Sequence, residues 1–157
     1  MKSLLVLMLV PFFITQTATV QVVKWETLEK EILNKNGKIK VVNFWISGCK
    51  SCVEELPHFE QLHRSFDNEV EVILVSLDKQ SVEETKVNPI LEKNRITAKV
   101  FLLDEVDSNS WINKIDPSWS GAIPATVVID QNNNRHVFQK SLTYPELVKI
   151  IHDIPKP

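Results

Sequence analysis

The stretch Val41-Val42-Asn43-Phe44-Trp45-Ile46-Ser47-Gly48-Cys49-Lys50-Ser51-Cys52-Val53-Glu54-Glu55-Leu56-Pro57 decides how this chain is read. Lys40 to Ile46 is the apolar run expected of a strand buried on both faces. Val53 and Leu56, continued by Phe59, Leu62 and Phe66, recur at helical spacing, so strand gives way to helix around Ser47-Gly48-Cys49. Pro57 falls inside that helix and predicts a kink.

Cys49 and Cys52 are the only cysteines of the chain, and they sit at this junction. A thiol in the first turn of a helix faces unsatisfied backbone N–H groups and the positive end of the macrodipole, and both favour the thiolate. Cys52 lies one turn further in, near enough to close a short disulfide and too sheltered to meet a substrate first. The order implies that Cys49 attacks and Cys52 resolves. A structural zinc site needs about four protein ligands, and no second cysteine pair or close histidine pair is present. A purely structural disulfide across so short a loop would constrain the unfolded chain little. Redox work is the reading that remains, with no bound cofactor and no metal.

The N-terminus points to where that work is done. Lys2, the apolar run Leu4 to Ile14 and the small polar stretch Thr15-Gln16-Thr17-Ala18-Thr19 read as a secretory signal, residues 1–18, cleaved near Ala18. The run is short for a membrane span. If the signal stays uncleaved, it tethers the domain to the membrane. The folded part, residues 19–157, is expected to be periplasmic or otherwise extracytoplasmic, where disulfides persist.

One domain with one substantial core suits that length. The net charge is −2, which argues against a nucleic-acid binder that relies on phosphate contacts. Three glycines and no repeat argue against a solenoid or a phosphate-cradling loop. Val20 to Trp25 reads as an edge strand, and Glu26 to Asn34 as a helix capped at Asn36-Gly37. Val70 to Leu77 is a second buried strand, followed by a helix over Val82 to Asn94 interrupted at Pro89. A strand over Lys99 to Leu103 and a short helix over Ser110 to Ile115 come next. Ala125 to Ile129 and His136 to Gln139 flank the polar turn Asp130-Gln131-Asn132-Asn133-Asn134 and make a hairpin, and Tyr144 to Ile154 is an amphipathic helix. This alternation describes an α/β three-layer sandwich on a central mixed β-sheet.

The segment Asn43 to Pro57 resembles the active-site segment of the TlpA/ResA-like thioredoxin-fold oxidoreductases, in which an Asn-Phe-Trp strand leads to Cys-x-x-Cys and then Glu-x-Pro. Gly121-Ala122-Ile123-Pro124-Ala125-Thr126-Val127-Val128-Ile129-Asp130 resembles the same family's second signature, a loop and strand carrying a cis-proline. The resemblance implies a thioredoxin-like fold and a thiol-disulfide oxidoreductase, most simply a protein-disulfide reductase. It also implies a cis bond between Ile123 and Pro124, with the Ile123 backbone placed to pair with an extended client strand. Client proteins with disulfides are the implied substrates, an upstream membrane dithiol carrier the implied electron donor, and a monomer the expected state. Asn43 stands where thioredoxins carry a buried acid. Glu55, three residues after Cys52, is the expected proton shuttle for that cysteine.

The departures from the family bear on direction. Gly48 replaces the usual aromatic residue before the first cysteine, which leaves the sulfur less shielded. Lys50 is expected to stabilise the Cys49 thiolate and make the disulfide more oxidising, so a disulfide oxidase or isomerase is an alternative. A copper-binding chaperone using Cys49, Cys52 and His136 is another. His58 and His63 are spaced so that one helix face does not hold both. Trp45 is expected to pack beneath the site. Trp111, Pro117 and Trp119 read as lid or packing residues, with Trp119 able to line the substrate groove.

Overall fold

The central strand of the sheet is the apolar run itself. β2 (Ile39–Trp45) is buried along its whole length, because both faces of a central parallel strand are covered. In the computed structural model, which describes residues 17–155, it is flanked by β3 (Val70–Ser76) in parallel and by β5 (Ala125–Ile129) in antiparallel. β4 (Lys99–Leu103) and β1 (Val20–Val23) extend the parallel side, and β6 (Arg135–Phe138) closes the other edge. The order is β1-β4-β3-β2-β5-β6, the expected central mixed sheet. Most of the expected signal segment lies outside the described residues. Ala18 already belongs to the fold, its N–H donating to the Ile96 carbonyl at 2.8 Å.

The two-residue period of β2 divides the core between two faces. Val42 and Phe44 pack with α1 (Trp25–Leu33) and α4 (Asn109–Ile115) through Trp25, Leu28, Trp111 and Ile115. Val41 and Trp45 pack on the other face with α2 (Lys50–Ser65), α3 (Asn88–Lys93) and α5 (Tyr144–Asp153), where Leu56, Phe59, Leu91 and Leu147 are buried. Burying a side chain such as Phe59 contributes about 1.5–3 kcal/mol. These are the three layers the sequence implies.

Local expectations differ from the structure in a few places. Trp25 opens α1 instead of ending β1, its N–H donating to the Glu105 carboxylate at 2.9 Å. α1 ends on an extended Asn34, and Gly37, with φ of +79°, serves the turn into β2 rather than a helix cap. Pro57 lies inside α2 as expected, and the helix continues through it to Ser65. The segment after β3 is broken upstream of Pro89, into a 3₁₀ turn at Gln80–Val82 and a π-turn at Glu83–Val87. Pro89 itself lies in the first turn of α3, where a missing N–H costs nothing.

Candidate active site

The C-terminal end of β2 delivers the chain to the start of α2, and Cys49 is the N-cap of that helix in an extended conformation. Its Sγ accepts from the Cys52 N–H at 3.2 Å. The two cysteines form a disulfide with Cα atoms 5.2 Å apart. Cys52 is wholly buried while Cys49 is partly exposed, so Cys49 is the sulfur of the pair that solvent reaches.

Glu55 lies one turn below Cys52, 1% exposed. One carboxylate oxygen accepts from Asn43 Nδ2 and the other from the Leu142 N–H, each at 2.8 Å. Burial pushes the Glu55 carboxyl above its ordinary range, and the bonds from Leu142 and Asn43 offset only part of that rise. A buried carboxylate displaced towards neutral pH is suited to exchanging a proton. Asn43 Nδ2 also faces the Thr126 hydroxyl at 3.2 Å, whereas its buried Oδ1 has no partner among the described residues.

The proline loop meets the cysteines at the same edge of the sheet. Phe44 pairs with Ala125 across the β2–β5 ladder, so Pro124 and Ile123 continue past that pair towards the end of β2. The Ile123–Pro124 bond is cis. Ile123 is half-buried, packed against both core clusters. The loop is fastened from behind: Trp119 Nε1 donates to the Ala122 carbonyl at 2.9 Å, and the Ser120 hydroxyl donates to Gln139 at 2.6 Å. Gly121 has φ of +84°, and a Cβ there would meet Ile112 Cδ1 at 3.0 Å, so the loop requires glycine. Trp119 does not line a groove. It is buried against Phe44 and Trp111, with ring centroids at 4.7 and 5.6 Å. Trp45 packs beneath the site as expected.

Two features were not anticipated from the sequence. Asp78, just beyond β3, accepts from the Ser47 N–H at 2.8 Å, the Ser47 hydroxyl at 2.7 Å and the Ser76 hydroxyl at 2.9 Å, which clamps the loop that carries Cys49. The Ser51 hydroxyl lies 3.5 Å from Cys49 Sγ. Lys50, expected to influence the sulfur, is 89% exposed and paired with Glu54 at 3.6 Å. His136 pairs with Val128 on β6, and Val128 with Val41 near the start of β2, far from the end that leads to Cys49. The copper arrangement of Cys49, Cys52 and His136 is therefore not brought together. Among the described residues no group of three or more potential metal ligands occurs.

The AhpC/TSA family model matches residues 10–135, well over half of the chain. The chain belongs to the AhpC/TSA family. Among its curated relatives, the thiol-disulfide oxidoreductase ResA of Oceanobacillus iheyensis is 27% identical over 126 residues, covering 79% of this chain and 61% of that protein. The thioredoxin-like protein YneN of Bacillus subtilis is 23% identical over 103 residues, covering 66% of this chain and 56% of YneN. The chain thus spans less than two thirds of the length of these relatives. A thioredoxin-family thiol:disulfide interchange protein from Chlorobium tepidum superposes with a TM-score of 0.61 at 20% identity, covering 74% of this chain and 79% of that one. These similarities bear out the TlpA/ResA-like resemblance and the thioredoxin-like fold.

Proposed function

We propose that this protein is an extracytoplasmic thiol-disulfide oxidoreductase that reduces disulfides of client proteins. The observation that carries the proposal is the partly exposed Cys49 at the helix start, joined to a buried Cys52 that stands one turn above buried Glu55. In the reduced protein, the Cys49 thiolate attacks a client disulfide. A mixed disulfide forms, and the departing client sulfur leaves as a thiolate that takes a proton from solvent. Glu55 removes the proton from Cys52, and the Cys52 thiolate attacks Cys49 Sγ. The client's second sulfur departs and is protonated, which leaves the Cys49–Cys52 disulfide. A membrane dithiol carrier then returns two electrons and is itself oxidised to a disulfide.

The Ile123 backbone, next to Pro124, is the surface on which an extended client strand pairs. Residues 19–157 act as one thioredoxin-like domain, a monomer behind a signal at residues 1–18. No helix among the described residues is long and apolar enough to cross a membrane. The reverse direction, as oxidase or isomerase, draws support from the donors gathered at Cys49 Sγ, which favour the reduced form.

Direction is tested by mixing the fully reduced protein, freed of reductant, with disulfide-bonded insulin. Reduction of insulin with stoichiometric formation of the Cys49–Cys52 disulfide is expected. Failure to reduce insulin, or activity only when oxidised protein meets a reduced client, overturns the proposal.

A further inference from the structure

We infer that the Ser51 hydroxyl is the side-chain donor that holds Cys49 as a thiolate in the reduced protein, and that Ser51 rather than Lys50 is how the dipeptide between the cysteines sets their redox balance. The inference rests on the redox reading above and adds a residue to it. Cys49 Sγ has two neighbours able to donate, the Cys52 N–H at 3.2 Å and Ser51 Oγ at 3.5 Å. A disulfide sulfur carries no hydrogen, so the serine hydroxyl is the donor in that contact. The backbone amide is available to any residue at position 52. The hydroxyl is supplied by the side chain at position 51.

Lys50 is the competing explanation, and its geometry weakens it. Its side chain is 89% exposed and its ammonium lies 3.6 Å from the Glu54 carboxylate, so solvent and a carboxylate both reduce its field at the sulfur. A hydroxyl in direct contact is not diluted in that way. When a dithiol donor reduces the pair, two electrons break the S–S bond and the donor becomes a disulfide. Cys52 leaves protonated, Cys49 leaves as the thiolate, and the remaining proton passes to solvent. The Ser51 O–H then faces an anion, and hydrogen bonds to charged acceptors are the strong ones. A bond made mainly to the reduced form lowers the thiol pKa and makes the disulfide easier to reduce.

The test titrates Cys49 by the ultraviolet absorbance of its thiolate and measures the potential against glutathione mixtures, for the wild-type protein, Ser51→Ala, Ser51→Thr and Lys50→Gln. Ser51→Ala is expected to raise the Cys49 pKa by about one unit, a tenfold loss of thiolate preference that corresponds to about 30 mV towards the reducing side. Ser51→Thr, which keeps a hydroxyl, should restore most of the difference, and Lys50→Gln should move either quantity less than Ser51→Ala does. An unchanged pKa and potential in Ser51→Ala, or a larger effect from Lys50→Gln, overturns the inference. If the wild-type protein shows no reversible dithiol couple at all, the redox reading beneath it falls instead.

Discussion

Glu55→Gln isolates the proton transfer from everything else at the site. The substitution keeps the side-chain shape, and its amide oxygen can still accept from the Leu142 N–H, but it removes the group that can take a proton from Cys52. A thiol with the ordinary pKa of about 8.5 is roughly 3% ionised at pH 7, and burial lowers that fraction. A base that removes the proton in the transition state can therefore contribute at least about thirtyfold, within the range usual for general acid–base catalysis. To read it, Cys49 is charged with a chromogenic aromatic thiol, and release of that thiol by Cys52 is followed by stopped flow from pH 6 to 10. The variant should release it some thirty to a hundred times more slowly at pH 7. The deficit should close as rising pH ionises Cys52 unaided. Equal rates at pH 7, or a deficit that persists unchanged to pH 10, would refute a proton-transfer role for Glu55.

Two further outcomes follow from the geometry away from the sulfurs. Asp78→Ala removes the acceptor of Ser47 and of the buried Ser76 hydroxyl, so denaturant unfolding should show a loss of about 2–3 kcal/mol and hydrogen exchange at the Ser47 amide should quicken. An unchanged Ser47 amide would mean that Asp78 does not clamp the loop. Glu71 is pushed up by burial, but its bonds from buried Lys40, from Lys99 and from Asn36 bring it down to about 2. A lowered carboxylate pKa stabilises the fold above the unfolded value near 4.5, and that stabilisation is lost as pH falls towards 2. Glu71→Gln should cost on the order of 3 kcal/mol at pH 7, and the gap to the wild-type protein should narrow through that window; a gap that stays constant with pH counts against the linkage.

Which features the sequence discloses follows from the range of the interactions behind them. β2 is legible because a strand covered on both faces must be apolar throughout, and Cys52 and Glu55 are legible because helical spacing alone stacks them. Ser51 was obscured by Lys50, whose formal charge is visible in the sequence while its pairing with Glu54 is not. Asp78 reaches Ser47 only because β2 and β3 pair in a register that sets Trp45 beside Ser76, which no local pattern specifies. Trp119 sits close to the proline loop in the chain, but the aromatic cluster of Phe44 and Trp111 draws its ring into the core. Val82 to Asn94 shows helical composition, but the positions of its 3₁₀ and π turns depend on packing after β3.

The most direct test of the central claim is to trap the mixed disulfide. Cys52→Ser and Cys49→Ser proteins are each incubated with a disulfide-bonded client, quenched with acid and mapped by mass spectrometry without reduction. A client covalently bound through Cys49 is expected in the Cys52→Ser protein and none in the Cys49→Ser protein, because Cys52 is buried and Cys49 partly exposed. Equal trapping by the two variants, or adducts formed chiefly through Cys52, would contradict it.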